Sequence, residues 1–172
     1  MVADRGQAGE PPADGPRGDW YEAVLERRAA AGEDIHGEAR FVMEWAPESV
    51  LDAGCGTGRV GRELARQGVW VVGVDIDPEM LDTARRKAPA IDWHRHDVAL
   101  VDLGAEFQVV LLAGNVINFV APARRALAIA NLARHVRPGG MLIAAHTIVP
   151  GELAITDFDG WAAAAGLALV ER

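Results

Sequence analysis

Apolar residues recur along this chain at two spacings, and the spacings alternate. Short, almost unbroken apolar runs fall at Ser49–Ala53, 70–75, 91–95, 107–113, 140–147 and 167–171. Between them lie stretches with apolar residues three and four apart, as at Val60, Leu64 and Ala65 against Arg62, Glu63 and Arg66. The first spacing predicts strands and the second amphipathic helices. Helices are expected over 19–31, 35–45, 58–67, 78–87, 122–136 and 157–165. Asp19 and Asp77-Pro78 read as helix starts, Gly32 and Gly166 as stops, and Pro47 ends the second helix. The runs Val109–Ala113 and Met141–Ala145 lack strict alternation, as expected of strands covered on both faces.

Strands alternating with helices predict an α/β fold with a doubly wound, mostly parallel sheet. Ligands of such sheets lie at the carboxyl ends of the strands. Asp52, Asp75, Asp97 and Gly114 all fall at those ends.

The most informative stretch is Val50-Leu51-Asp52-Ala53-Gly54-Cys55-Gly56-Thr57-Gly58-Arg59. It reads as a buried strand, a tight glycine turn and a helix start. Glycines let the backbone turn sharply and approach a ligand closely. The helix start adds unpaired N–H groups and a positive dipole end. Two cofactor classes compete. Gly56 to Gly61 matches G-x-G-x-x-G, and Asp75 ends the next strand, as a dinucleotide fingerprint requires. Gly54 and Asp52 argue otherwise: a carboxylate at the strand end would repel a pyrophosphate. It suits a ligand with cationic groups and no phosphate, such as S-adenosylmethionine.

On these residues the chain resembles the class I S-adenosylmethionine-dependent methyltransferases. Leu51 to Gly58 looks like that family's first motif. Val72-Gly73-Val74-Asp75-Ile76-Asp77-Pro78-Glu79-Met80-Leu81 is similar to its second-strand motif, Asp97-Val98 to the acidic position after strand three, and Arg137-Pro138-Gly139-Gly140-Met141-Leu142 to the turn into strand five. The resemblance covers roughly residues 36–171. It implies a Rossmann-like fold and cofactor contacts from Asp52, Ala53, Gly54, Cys55, Gly56, Asp75, Ile76, Met80, Asp97, Val98, Ala113 and Gly114. Asp75 would hold the ribose hydroxyls and Asp97 the adenine. It also implies a sheet ordered 3-2-1-4-5-7-6. Counting 167–171 as strand six leaves no residues for strand seven, so a shortened chain is expected, with a last strand moved next to strand five or a partner chain filling the gap as the alternatives. Many relatives carry Asp where Gln108 stands, which puts an acid/base role there in doubt.

Composition narrows the acceptor. At 172 residues and 50% hydrophobic, one domain is expected, with a tail over 1–18, cap helices over 19–46 and the cofactor domain over 47–172. The net charge is −8, from 25 acids against 17 Lys plus Arg, with no basic stripe, which disfavours nucleic acid. No apolar run is long enough to span a membrane, and without an apolar core near residue 1 no secretory signal is expected. The single Cys55 fits a cytoplasmic protein. The expected reaction is methyl transfer to a small molecule, yielding S-adenosylhomocysteine, with a homodimer one assembly open to it. O-, N- and C-transfer all stay open. An NAD-dependent oxidoreductase and a non-catalytic cofactor-binding regulator are the alternatives.

Each candidate has a plainer role to weigh. Cys55 as a nucleophile lacks a partner base. His94, His96, Asp97 and Asp102 could be imagined as metal ligands, but no second cluster completes a site. Met80 and Ile76 either pack on adenine or fill core, and Trp93 either flanks that site or fills the sheet face. His36 and Arg40 are candidates for the cofactor's carboxylate, Asn115 and Asn118 for the transfer site. His36 and His146 are the weak candidates for a base.

Overall fold

The computed structural model describes residues 16–146 and 153–171. Helices α1 (Arg17–Ala30) and α2 (Gly37–Met43) precede β1 (Ser49–Ala53), α3 (Arg59–Arg66), β2 (Trp70–Asp75), α4 (Pro78–Lys87) and β3 (Asp92–Arg95). There follow β4 (Phe107–Leu112), the short α5 (Val116–Phe119), a 3-10 turn (Pro122–Arg124), α6 (Arg125–Ala133), β5 (Val136–Ala144) and α7 (Ile155–Ala164). The five strands form one sheet ordered β3-β2-β1-β4-β5, with every neighbouring pair parallel. This is the predicted doubly wound α/β architecture, in the order expected for its first five strands.

The lack of alternation in hydrophobicity is explained by two covered faces. Leu51, Val72 and Val110 stand in register and face Ala128, Ile129 and Leu132 of α6. Val50, Val71 and Val109 also stand in register, on the opposite face, against Ala39 and Val42 of α2 and Val60 and Leu64 of α3. Burying each such aliphatic side chain contributes about 1.5–3 kcal/mol. Layers on both sides hold the strand ends at one rim, where the glycine turn emerges.

Several boundaries differ from expectation. Helix α1 begins at Arg17, inside the expected tail, because Gly18 lies directly on α4: a Cβ there would sit 2.4 Å from Thr83 Oγ1. Asp19 is therefore not a cap; it lies in the first turn and pairs with Arg86 and Thr83. The expected helix over 122–136 is α6 preceded by a 3-10 turn. Residues 116–119, expected as a loop, form α5 and bury Val116 and Ile117. Strand β5 starts at Val136 rather than 140, with a register shift against β4 that absorbs the Arg137–Gly140 turn. Its expected last residue, Thr147, lies outside the described residues, as do residues 1–15 of the expected tail.

The expected strand over 167–171 does not form. That segment is irregular, with Leu169 61% and Val170 74% exposed. A strand requires a neighbour to take its N–H and C=O groups, and among the described residues β5 is the sheet's last strand on that side.

Candidate functional site

The rim is built by β1 and β2 together. Val74 O accepts from both Gly54 N at 2.7 Å and Cys55 N at 2.9 Å. The Asp75 carboxylate, 4% exposed, accepts from Gly56 N at 2.7 Å and, with its other oxygen, from Asp77 N at 2.9 Å. Asp75 thus fastens the glycine turn to the end of β2. Asp52 lies beneath the turn, 2% exposed, and Oδ2 accepts from Gly61 N at 3.0 Å. It ties the first turn of α3 back to β1, and its negative charge beneath the turn disfavours a pyrophosphate there. Gly54 has φ +81°, and a Cβ on it would meet the Val116 methyls at 2.4 and 2.5 Å. Both its backbone conformation and its close contact with α5 require glycine.

Asp52, Gly54, Cys55, Ala113 and Gly114 line one partly open cleft. Tyr21 and Arg59 line the same cleft, and the sequence reading did not place either there. Tyr21 comes from α1, whose inward stripe is Tyr21, Val24 and Leu25. That helix is locked on by Glu22, 5% exposed, which accepts from Thr57 Oγ1 and from Arg62 Nη2 at 2.9 and 3.0 Å. Lys87 Nζ stands 2.6 Å from Glu22. Burial pushes the Glu22 carboxyl up, but the hydrogen bonds from Lys87 and Thr57 and the Arg62 charge outweigh it and hold it below the usual range. Arg59 opens α3 and donates from both terminal nitrogens to Glu38 of α2, at 2.8 and 2.7 Å. Burial likewise opposes the charges of Glu38 and Arg59, and their mutual hydrogen bonds prevail, lowering the first pKa and raising the second. The signal for this cap was a glutamate, Glu22, between two core-facing positions of an amphipathic helix.

The other candidates separate. Ile76 is 62% exposed at the end of β2, an apolar surface beside the turn. Met80 is buried against Tyr21 and Leu25, joining α4 to α1. Ala53 and Val98 lie in the core, and Asn131 Nδ2 donates to Val98 O at 3.1 Å. Asp97 accepts from Ala99 N at 2.8 Å and pairs with Arg124 Nη1 at 2.7 Å. Trp93 fills the sheet face: Nε1 donates to Ala88 O at 2.9 Å, and its ring leaves no room for a Cβ on Gly73 or Gly58. Cys55 packs with Trp93 and Leu81. Arg40 is paired with Asp34 on the surface. His94 and His96 are exposed, and among the described residues no group of three His, Cys, Asp or Glu is arranged to hold a metal. Gln108 lies at the start of β4, the end away from the glycine turn, where its Oε1 accepts from Glu48 N at 2.9 Å. Its departure from Asp therefore takes no carboxylate from the rim.

Comparison with known proteins agrees with this geometry. A methyltransferase domain family model matches residues 50–140, just over half of the chain. A TehB-like SAM-dependent methyltransferase structure from Corynebacterium glutamicum superposes with a TM-score of 0.78 at 35% identity, covering 86% of this chain and 82% of that one. The SAM-bound amino pentose methyltransferase CalS10 from Micromonospora echinaspora has a TM-score of 0.69 at 28% identity, over 85% and 62%. A dTDP-3-amino-3,4,6-trideoxy-alpha-D-glucopyranose N,N-dimethyltransferase from Streptomyces venezuelae is 29% identical over 139 residues, 79% of this chain and 56% of that protein. The chain belongs to the class I S-adenosylmethionine-dependent methyltransferases. It spans 56% of the length of that dimethyltransferase and 34% of a magnesium-protoporphyrin O-methyltransferase from Rhodobacter capsulatus. Neither the NAD-dependent nor the non-catalytic alternative finds support among these relatives.

S-adenosylmethionine is the cofactor of this family, and the rim fits it. Gly54 has no space for a side chain, two buried carboxylates end β1 and β2, and Ile76 offers an exposed apolar face beside Asp75.

Proposed function

We propose that this protein transfers a methyl group from S-adenosylmethionine to a nucleophilic atom of a small molecule, with an amine on a sugar-like acceptor the first to test. The observation that carries the reading is the joining of Asp52, Asp75 and the Gly54 turn at one rim, with Tyr21 brought over it by α1. The cofactor supplies an already activated methyl, so the chain's task is binding and alignment. Asp75 would accept the ribose hydroxyls; a carboxylate has about four acceptor sites, enough to do so while bracing the turn. Asp52 with Gly54, Cys55, Gly56, Ala113 and Gly114 would hold the methionine portion, Ile76 the adenine face, and Asp97 and Val98 the adenine edge. Met80 would support that end from behind through α1.

The amine acceptor rests on relatives named as amino-sugar methyltransferases. The net charge of −8 favours a neutral or cationic acceptor over a nucleic acid. No described helix is long and apolar enough to cross a membrane. The single, buried Cys55 supports a cytoplasmic location. A cofactor domain over 47–172 with cap helices over 19–46, working alone or as a homodimer, completes the reading. The test is mass-spectrometric detection of methylated product over a panel of amino sugars, simple amines and hydroxyl compounds. Turnover of a panel member supports the proposal; tight S-adenosylhomocysteine binding without any turnover contradicts it.

A further inference from the structure

The strand next to β4 brings an unused histidine to the same rim. Ala145 N donates to Leu112 O at 2.8 Å, and Asn115 N donates to Ala145 O at 3.1 Å. His146 is therefore fixed beside the start of α5, whose Val116 touches Gly54. Its ring packs on Phe158 of α7, with centroids 5.7 Å apart. Both ring nitrogens are buried and, among the described residues, have no hydrogen-bond partner, and the same holds for Oδ1 of Asn118 on α5. Buried polar atoms are nearly always paired, so an imidazole and an amide oxygen left unpaired beside one strand end point to a ligand with N–H or O–H groups.

We infer that His146 takes the proton released by the acceptor, while Asn118 Oδ1 accepts a second hydrogen bond that orients it. This rests on the methyltransferase reading. The acceptor's lone pair forms the new bond to the methyl carbon, the carbon–sulfur bond breaks, and its electron pair stays on sulfur as S-adenosylhomocysteine. The acceptor's N–H or O–H proton moves to an imidazole nitrogen of His146. The ring must be neutral to do this, and burial pushes its pKa below the ordinary histidine value. On α7, Asp157 and Asp159 flank Phe158 in sequence; α5 carries no ionisable side chain, and Arg125 starts α6.

The test uses the whole protein with ¹⁵N-labelled histidine, of which there are five, and His146→Gln to assign the signal. A cation near an imidazole disfavours its protonation. S-adenosylmethionine carries the sulfonium and S-adenosylhomocysteine does not. The His146 titration midpoint should therefore lie lower with the first bound than with the second, by roughly half a pH unit or more. His146→Gln should bind S-adenosylhomocysteine within about twofold of the parent and lose about 100-fold or more in transfer to whichever panel acceptor is turned over. Equal midpoints in the two complexes, or transfer unchanged in His146→Gln, overturns the role of His146 alone. Failure of either cofactor form to bind, or of the parent to turn over any acceptor, overturns the methyltransferase reading and this inference with it.

Discussion

Asp75→Asn is the perturbation that bears most directly on how the rim is made. Each carboxylate oxygen of Asp75 accepts one backbone N–H, from buried Gly56 at 2.7 Å and from half-buried Asp77 at 2.9 Å. An asparagine keeps one acceptor and turns an N–H₂ group toward the other donor. One charge-assisted hydrogen bond is lost, worth about 1.5–3 kcal/mol. The unpaired N–H faces a residue that is 4% exposed, so solvent compensates only in part. For a chain of this size, ~2–4 °C accompanies each kcal/mol, so the melting temperature should fall by about 3–12 °C. Loss of the ribose contact should add at least about a tenfold weakening of S-adenosylhomocysteine binding, equivalent to about 1.4 kcal/mol. Scanning calorimetry reads the first effect, and titration calorimetry well below the variant's melting temperature reads the second. A variant melting within 1 °C of the parent, with unchanged affinity, would refute the reasoning on both counts.

Four further outcomes are expected. Gly54→Val should abolish S-adenosylhomocysteine binding, because φ +81° and the 2.4 Å approach to Val116 both exclude a branched side chain; normal titration of the variant would show that the turn tolerates it. Gly73→Ala should destabilise by about 1–3 kcal/mol, since its Cβ would fall 2.2 Å from the Trp93 ring; an unchanged denaturant midpoint contradicts that. Glu22 and Glu38 have lowered pKa values in the folded chain. Their stabilisation is therefore complete above the ordinary value of 4.5 and fades as pH falls below it through the folded values. Hydrogen exchange, corrected for intrinsic rates, should show α1 and α2 loosening in that window, and Glu22→Gln or Glu38→Gln should flatten the dependence. Arg66→Ala should leave the denaturant midpoint unchanged although the Arg66 hydrogen bond draws Glu63 down to about 2, because Arg66 is 72% exposed and solvent screens the pair; a clear fall in the midpoint would contradict that.

The parts written plainly in the sequence are those set by local chemistry. Asp77-Pro78 specified the start of α4, where Asp77 Oδ1 accepts from Glu79 N at 3.0 Å. β1 and β2 matched residue for residue, because apolar runs buried on both faces leave little choice of boundary. Asp52 and Asp75 could be placed at strand ends from spacing alone. What the sequence hid depends on contacts between distant elements. Gly18 joins α1 because it packs on Thr83, 65 residues away, and the 167–171 run joins no strand among the described residues. Arg59 pairs with Glu38 of α2, a contact that no periodicity could reveal. Met80 followed the helical pattern equally well as core or as ligand contact, and only the position of α1 decides between them.

The central claim is that this rim recognises an adenosyl amino acid rather than a dinucleotide. Titration calorimetry of the purified chain against S-adenosylhomocysteine and, separately, against NAD measures it directly. The buried Asp52 carboxylate beneath the glycine turn predicts saturable binding of S-adenosylhomocysteine, far tighter than that of NAD. NAD binding as tightly as S-adenosylhomocysteine, or more tightly, would contradict the account.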